Sequence, residues 1–272
     1  SDLKNVIKRR PASMKPTFLG HDRPLLVDMI LAETPGEIII NIRNALYDGA
    51  DAFGIQLERL CPEYRTEEHF RRIFSYMEDK PLYVTNYRGG HNREMTDEAR
   101  IEELKLALKC GATLIDIPGD EFSPAPMEMT QDAKAIERQK QLIEEIHEAG
   151  GEVLMSSHIR RFLPEEKVVE IALEQQSRGA DIVKMVTGSD TEEELMANLN
   201  TIQALKRELK VPFLFLSGGP YCKIHRMFGP YFGVCMWLCV QKYDTFSSKE
   251  QPVLRAVRNI VANFDYKPNL RQ

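Results

Sequence analysis

A strand-length apolar run followed by a stretch of helical periodicity recurs eight times along this chain, and few architectures can absorb that pattern. The runs begin at Pro24, Asp51, Pro81, Ala112, Glu152, Ala180, Pro212 and Phe232. The helical stretches cover 35–47, 67–77, 97–109, 131–149, 164–178, 191–209, 224–230 and 251–264. Most runs are continuously apolar, as parallel strands covered on both faces are. Three helical stretches end in nearly the same punctuation: Asp48-Gly-Ala-Asp51, Cys110-Gly-Ala-Thr113 and Arg178-Gly-Ala-Asp181. Glycine suits a left-handed helix terminus, and the small alanine lets the next strand dock closely. Eight such units without a Pro/Gly/Ser-rich linker predict one α/β domain over 1–272, a (β/α)8 barrel with 1–22 as a short N-terminal extension. A hairpin across the barrel bottom is the expectation for that extension. The rival is a doubly wound open sheet, but neither GxGxxG nor GxxxxGK[ST] follows any run.

Composition narrows the partners. A chain of 272 residues with 43% hydrophobic residues can bury a core without disulfides or metal staples. Lys plus Arg total 36 against 41 acidic residues, a net charge of -5, so a phosphate backbone is not the expected ligand. No run approaches the roughly 18 to 20 apolar residues that span a bilayer, and the opening residues lack the apolar core of a signal peptide. We therefore expect no membrane or nucleic-acid partner and a cytoplasmic location. The five cysteines show no CxxC pair and no zinc-like spacing, so reduced thiols are expected, with no metal and no cofactor.

In a barrel of this kind, chemistry sits at the carboxyl ends of the strands. The polar residues near those ends are Asp28, Gln56, Glu58, Arg59, Arg88, Asp116, Ser156, His158, Lys184 and Ser217, with Arg226, Ser247 and Gln251 beyond the last two runs. Lys184 stands inside Asp181-Ile-Val-Lys-Met-Val186, where an ammonium loses hydration. Desolvation and nearby arginines lower its pKa, and a neutral amine attacks a ketone to form a Schiff base. The bland reading is a strand-mouth lysine paired with Asp116 or Glu58. His158 ends the preceding run, one strand away, where an imidazole can move the protons that imine formation and elimination require. Arg88 and Arg226 follow the third and seventh runs and suit a carboxylate, so a small anionic substrate is implied. Gln56 and Glu58 share one side of the second run and are candidates for holding hydroxyls; an internal salt-bridge network is their alternative. His147 and His69 fall on helical stretches, His21 precedes the first run, and His91 and His225 occupy loops on the site side.

Several of these segments resemble the type I 3-dehydroquinate dehydratases. They are Ser156-Ser-His158 with Phe162 and Pro164, Asp181-Ile-Val-Lys184, Ser217 with His225-Arg-Met-Phe-Gly229, and Ser247-Ser-Lys-Glu-Gln251. The resemblance implies a metal-free, usually homodimeric barrel that removes water from a cyclic 3-dehydro acid through a lysine Schiff base. It makes Lys184 the imine-forming residue, His158 the general acid/base and Arg226 the receptor for the substrate carboxylate. Ser247 and Gln251 become part of a loop closing over the ligand, and Arg88, in Val84-Thr-Asn-Tyr-Arg88, matches an arginine that touches substrate. Two segments depart from the family pattern. The second run ends in Gln56-Leu-Glu58-Arg59 where the family has Glu-x-Arg. After the third run Arg88 meets Gly89-Gly90 directly, where the family has an acidic residue thought to orient the histidine; Glu94 comes later.

Two other functions fit the same residues. A divalent-metal sugar isomerase would use Glu58, Asp116 and His158 as ligands with the lysine as helper. A non-catalytic barrel would bind a metabolite without turnover, since a fold alone does not define function.

Overall fold

The computed structural model describes residues 15–264. Among them, eight parallel strands alternate with eight α-helices. The strands are β1 (Leu25–Ile30), β2 (Ala52–Gln56), β3 (Leu82–Thr85), β4 (Leu114–Pro118), β5 (Glu152–His158), β6 (Ile182–Gly188), β7 (Phe213–Gly218) and β8 (Met236–Cys239). The helices are α1 (Pro35–Asp48), α2 (Glu67–Phe74), α3 (Asp97–Cys110), α4 (Ala133–Glu148), α5 (Glu165–Ser177), α6 (Glu192–Glu208), α7 (Cys222–Phe232) and α8 (Leu254–Val261). Pairing follows chain order from β7 back to β1 and then to β8. At the β7/β8 seam, the Cys235 amide donates to the Phe213 carbonyl at 2.9 Å, so the sheet is a nearly closed barrel rather than an open doubly wound one.

The repeated Gly-Ala-Asp/Thr punctuation has a structural reason at each position. Gly49, Gly111 and Gly179 have φ of 92°, 120° and 104°, which a side chain would resist. The residue two positions on turns back to the preceding strand. Asp51 accepts from the Leu26 amide, Thr113 from the Leu82 amide and Asp181 from the Val153 amide. A strand end near the barrel bottom would otherwise expose that donor, and an unpaired buried amide costs about 1–3 kcal/mol.

Element boundaries shift where caps intervene. Gly233, at φ 137°, terminates α7 after Phe232, so β8 is shorter than the run beginning at Phe232 suggested. The chain from Gln241 to Pro252 is loop, which starts α8 later than residue 251. Residues 1–14, which carry most of the anticipated hairpin, lie outside the described residues. Residues 15–23 contain no strand; they cross the amino end of β5, where the Phe18 amide and the Thr17 hydroxyl both donate to the Glu152 carboxylate. Phe18 is buried and meets the Tyr83 ring edge-on, which closes the barrel interior from below.

Candidate active site

The carboxyl ends of the strands open into a cavity of about 560 Å³. Strand alternation decides what faces it: Met29 of β1, Gln56 of β2, His158 of β5, Lys184 and Val186 of β6, Leu216 of β7 and Leu238 of β8 all line it. In the parallel register Lys184 lies opposite Ser156, and His158 lies opposite Val186, so the amine and the imidazole occupy successive inward layers of adjacent strands.

Lys184 is 5% exposed. Its Nζ donates to the hydroxyls of Tyr87 (2.8 Å) and Tyr83 (3.1 Å) and lies 3.5 Å from Asp116 Oδ2. Asp116 in turn accepts from both tyrosines and, at 2.5 Å, from Ser156. Burial lowers the lysine pKa, and Arg226 adds to that; Asp116 and Glu128 oppose it. The bland reading of a strand-mouth ion pair is therefore half present: the carboxylate is there, but three hydroxyl donors already engage it.

His158 donates from Nδ1 to Glu128 Oε2 at 2.8 Å, and its own backbone amide reaches the same oxygen at 2.8 Å. Fixing the proton on Nδ1 leaves Nε2 as the basic nitrogen, and Nε2 has no hydrogen-bond partner among the described residues. Burial first, then Lys184, lowers the imidazole pKa, while Glu128 pulls it up. The orienting glutamate thus comes from the turn Pro126–Glu128 after β4, not from the loop after β3. Met127 and Glu128 both have positive φ, 59° and 49°, a conformation that costs an ordinary residue about 1–3 kcal/mol and that aims this carboxylate. The Tyr87 ring packs edge-on against the imidazole, 4.9 Å between centroids.

The remaining residues divide. Gln56 and Glu58 both line the cavity, although Glu58 belongs to a 3-10 turn (Leu57–Arg59) that follows β2. Glu58 accepts from the Thr85 hydroxyl and the Tyr87 amide, and burial raises its pKa. Arg226 lines the cavity, held by its Nε on the Ser217 carbonyl, with Glu250 3.4 Å from its terminal nitrogen. Ser247 and Gln251, on the β8–α8 loop, line the cavity; Gln251 is buried, with its Oε1 unpartnered among the described residues. Arg88 is not brought into the cavity: Asp97 grips it through two bonds and Asp120 through two more. Arg59 and Arg160 stand at the cavity edge instead, and Arg160 carries a positive φ of 59°. Neither His91 nor His225 lines it; His225 is fully buried against Ser217.

The ligand set of the sugar-isomerase alternative is not gathered. Glu58 is engaged by the Thr85 hydroxyl, Asp116 by the Tyr87 hydroxyl and His158 by Glu128, and among the described residues no group of three metal-ligating side chains forms. Likewise, no described helix is long and apolar enough to cross a membrane, and the five cysteines are unpaired.

Barrel, cavity and the buried lysine–histidine pair define a class: a (β/α)8 enzyme that handles a small molecule at the carboxyl ends of its strands. The profile of the type I 3-dehydroquinases matches residues 29–264, and the chain belongs to that family of carbon–oxygen hydro-lyases. Solved structures agree on the fold. The 3-dehydroquinate dehydratase of Geobacillus kaustophilus superposes with a TM-score of 0.76 at 15% identity, over 88% of this chain and 90% of that one. The type I enzyme of Clostridium difficile, solved with covalently modified comenic acid, gives 0.74 at 19% identity over 89% and 94%. The Enterococcus faecalis enzyme gives 0.71 at 20% over 92% and 99%. Comparison with curated protein sequences finds no match.

Proposed function

We propose that this chain is a 3-dehydroquinate dehydratase-like hydro-lyase that works through an imine on Lys184, with His158 as general acid and base. The observation that carries the reading is the buried Lys184 amine, its charged form disfavoured, one strand from an imidazole whose tautomer Glu128 sets. The neutral amine adds to the ring ketone, and loss of water leaves a protonated imine that withdraws electrons from the neighbouring carbon. His158 Nε2 takes the proton from that carbon. The imidazolium then returns a proton to the hydroxyl leaving the next carbon, so elimination releases water and restores the neutral base. Hydrolysis of the imine frees the product and the amine.

Arg226 takes the ring carboxylate, with Arg160 adding positive charge at the same side. Gln56 and Glu58 hold ring hydroxyls, the amide as donor or acceptor and the glutamate as acceptor. Ser247 and Gln251 close over the ring from the β8–α8 loop. The covalently modified ligand of the Clostridium difficile relative supports a covalent route in this barrel family. The family resemblance also suggests a cytoplasmic homodimer; sedimentation of the purified protein would test the dimer and cell fractionation the location.

The test is reduction with borohydride in the presence of 3-dehydroquinate. Activity is expected to disappear while Lys184 gains the mass of the reduced ligand. Reduction that leaves Lys184 unmodified while the protein still turns over dehydroquinate removes the imine. Turnover of other carboxylated cyclic ketones but not of dehydroquinate would keep the mechanism and replace the substrate.

A further inference from the structure

We propose that Tyr83 and Tyr87, keyed to Asp116, form a cradle that takes two hydrogens of the Lys184 amine and turns the bond-forming position of its nitrogen into the cavity. The inference rests on the imine reading above and assigns two positioning residues to it. Each phenol gives its single hydrogen to Asp116 Oδ2, so towards Lys184 each oxygen can only accept. Burial, and Asp116 next, push both phenol pKa values well up, which keeps those hydrogens in place at neutral pH.

The geometry then limits what the nitrogen can do. Tyr87 Oη and Asp116 Oδ2 are 2.6 Å apart, and they lie 2.8 and 3.5 Å from Lys184 Nζ. Seen from Nζ they are separated by roughly 50°, about half the angle between two N–H bonds on a tetrahedral nitrogen, so separate N–H groups cannot serve both in line. Two hydrogens go to the two phenols, and the carboxylate is screened behind them. Among the described residues the fourth position of the nitrogen finds no acceptor on that side, and it faces the cavity that Lys184 lines. In the neutral amine this position is the lone pair; in the ammonium it is a third hydrogen directed into the cavity.

The charged and titratable groups facing this amine are Asp116 on β4, Glu128 from the turn after β4, His158 on β5 and Arg226 on α7, with Glu58 acting on Tyr83 from beyond β2. Asp116 and Glu128 favour the ammonium; Arg226, and burial above all, disfavour it. Removing a phenol oxygen strips Asp116 of one donor and frees one N–H to turn directly to the carboxylate, which stabilises the ammonium. Tyr87→Phe and Tyr83→Phe are the variants, and the readout needs no substrate: the pH dependence of Lys184 labelling by acetic anhydride, followed by peptide mass spectrometry against the surface lysines.

Either variant is expected to lower Lys184 labelling about tenfold at neutral pH and to move its profile to higher pH, with surface lysines unchanged; one lost hydrogen bond is of that size. The acid limb of kcat/KM should move the same way. Tyr87 stands at the cavity wall, so its variant carries the test if the fully buried Tyr83 variant fails to fold. Unchanged labelling profiles with uniformly reduced activity would overturn the cradle, since tyrosines that merely fill space leave the amine's titration alone. Borohydride trapping on the wild-type protein separates the two ideas. An adduct with unshifted labelling discards the cradle alone, and shifted labelling without an adduct discards the imine alone.

Discussion

Glu128 Oε2 receives both the Nδ1 hydrogen and the backbone amide of His158, each at 2.8 Å, although thirty residues separate the two in sequence. One oxygen therefore fixes the ring's tautomer and its orientation. Because Glu128 raises an imidazole pKa that burial and Lys184 lower, its charge and its geometry have separable effects. Glu128→Gln keeps an acceptor but loses the charge, so the limb of the pH–rate profile belonging to His158 should move to lower pH with most of kcat retained. Glu128→Ala loses both, and kcat should fall by up to about 100-fold, the scale of a misplaced catalytic group. Stopped assays across pH separate the two; identical profiles for both variants would mean the carboxylate serves only the turn.

Lys184→Met should remove turnover and covalent trapping together while leaving the barrel folded. The amine is desolvated, and Asp116 keeps its three hydroxyl donors without it, so no charge is stranded alone. Thermal melting is expected at or above the wild-type temperature. A variant that folds but still forms a borohydride adduct would show that another lysine carries the chemistry.

How much of this site the sequence discloses depends on how far apart its parts lie. Lys184 is legible because it interrupts a strand-length apolar run, and His158 because it ends the neighbouring one, at the end of a strand where chemistry is expected. Glu128 is not: it sits in an irregular turn with left-handed backbone, and nothing local ties it to a strand end thirty residues on. Tyr87 reads as one of nine tyrosines until the β3 and β6 registers bring it to the amine. Arg88 misleads for the same reason, since the first turn of α3 and the loop after β4 supply the carboxylates that claim it. The glycines of the repeated punctuation are readable from backbone conformation, whereas the strand-capping role of Asp51, Thr113 and Asp181 appears only once neighbouring strands are laid side by side.

Arg226 and Glu250 make a competing pair at the mouth of the cavity. The carboxylate lies 3.4 Å from the guanidinium that is assigned to substrate, in a contact too long to be strong. An incoming carboxylate must displace it. Arg226→Ala should raise KM by about 10- to 100-fold with a smaller effect on kcat, as loss of a charge-assisted contact does. Glu250→Gln should lower KM several-fold for a carboxylate-bearing substrate and leave kcat near wild type. Steady-state kinetics of both variants decide the matter, and a higher KM in Glu250→Gln would instead make Glu250 a partner of the substrate.

Asp28 gives a prediction about stability rather than turnover. It lies on β1 opposite Phe53 and Cys239, fully buried, and neither carboxyl oxygen has a hydrogen bond of ordinary geometry among the described residues. Burial, and then Asp48, raise its pKa well above the ordinary carboxylate value, with the Gln241 backbone opposing. The folded protein therefore holds a proton here that the unfolded chain releases above about pH 4. Its contribution is fully present below that pH and is lost as pH rises towards the folded-state pKa, at a slope of about 1.4 kcal/mol per pH unit for one full proton. Asp28→Asn cannot ionise, so its advantage over wild type should be small near pH 4 and grow towards neutrality. Urea unfolding at pH 4, 5.5 and 7 measures this directly, and parallel stability curves for the two proteins would mean that Asp28 stays charged in the folded barrel.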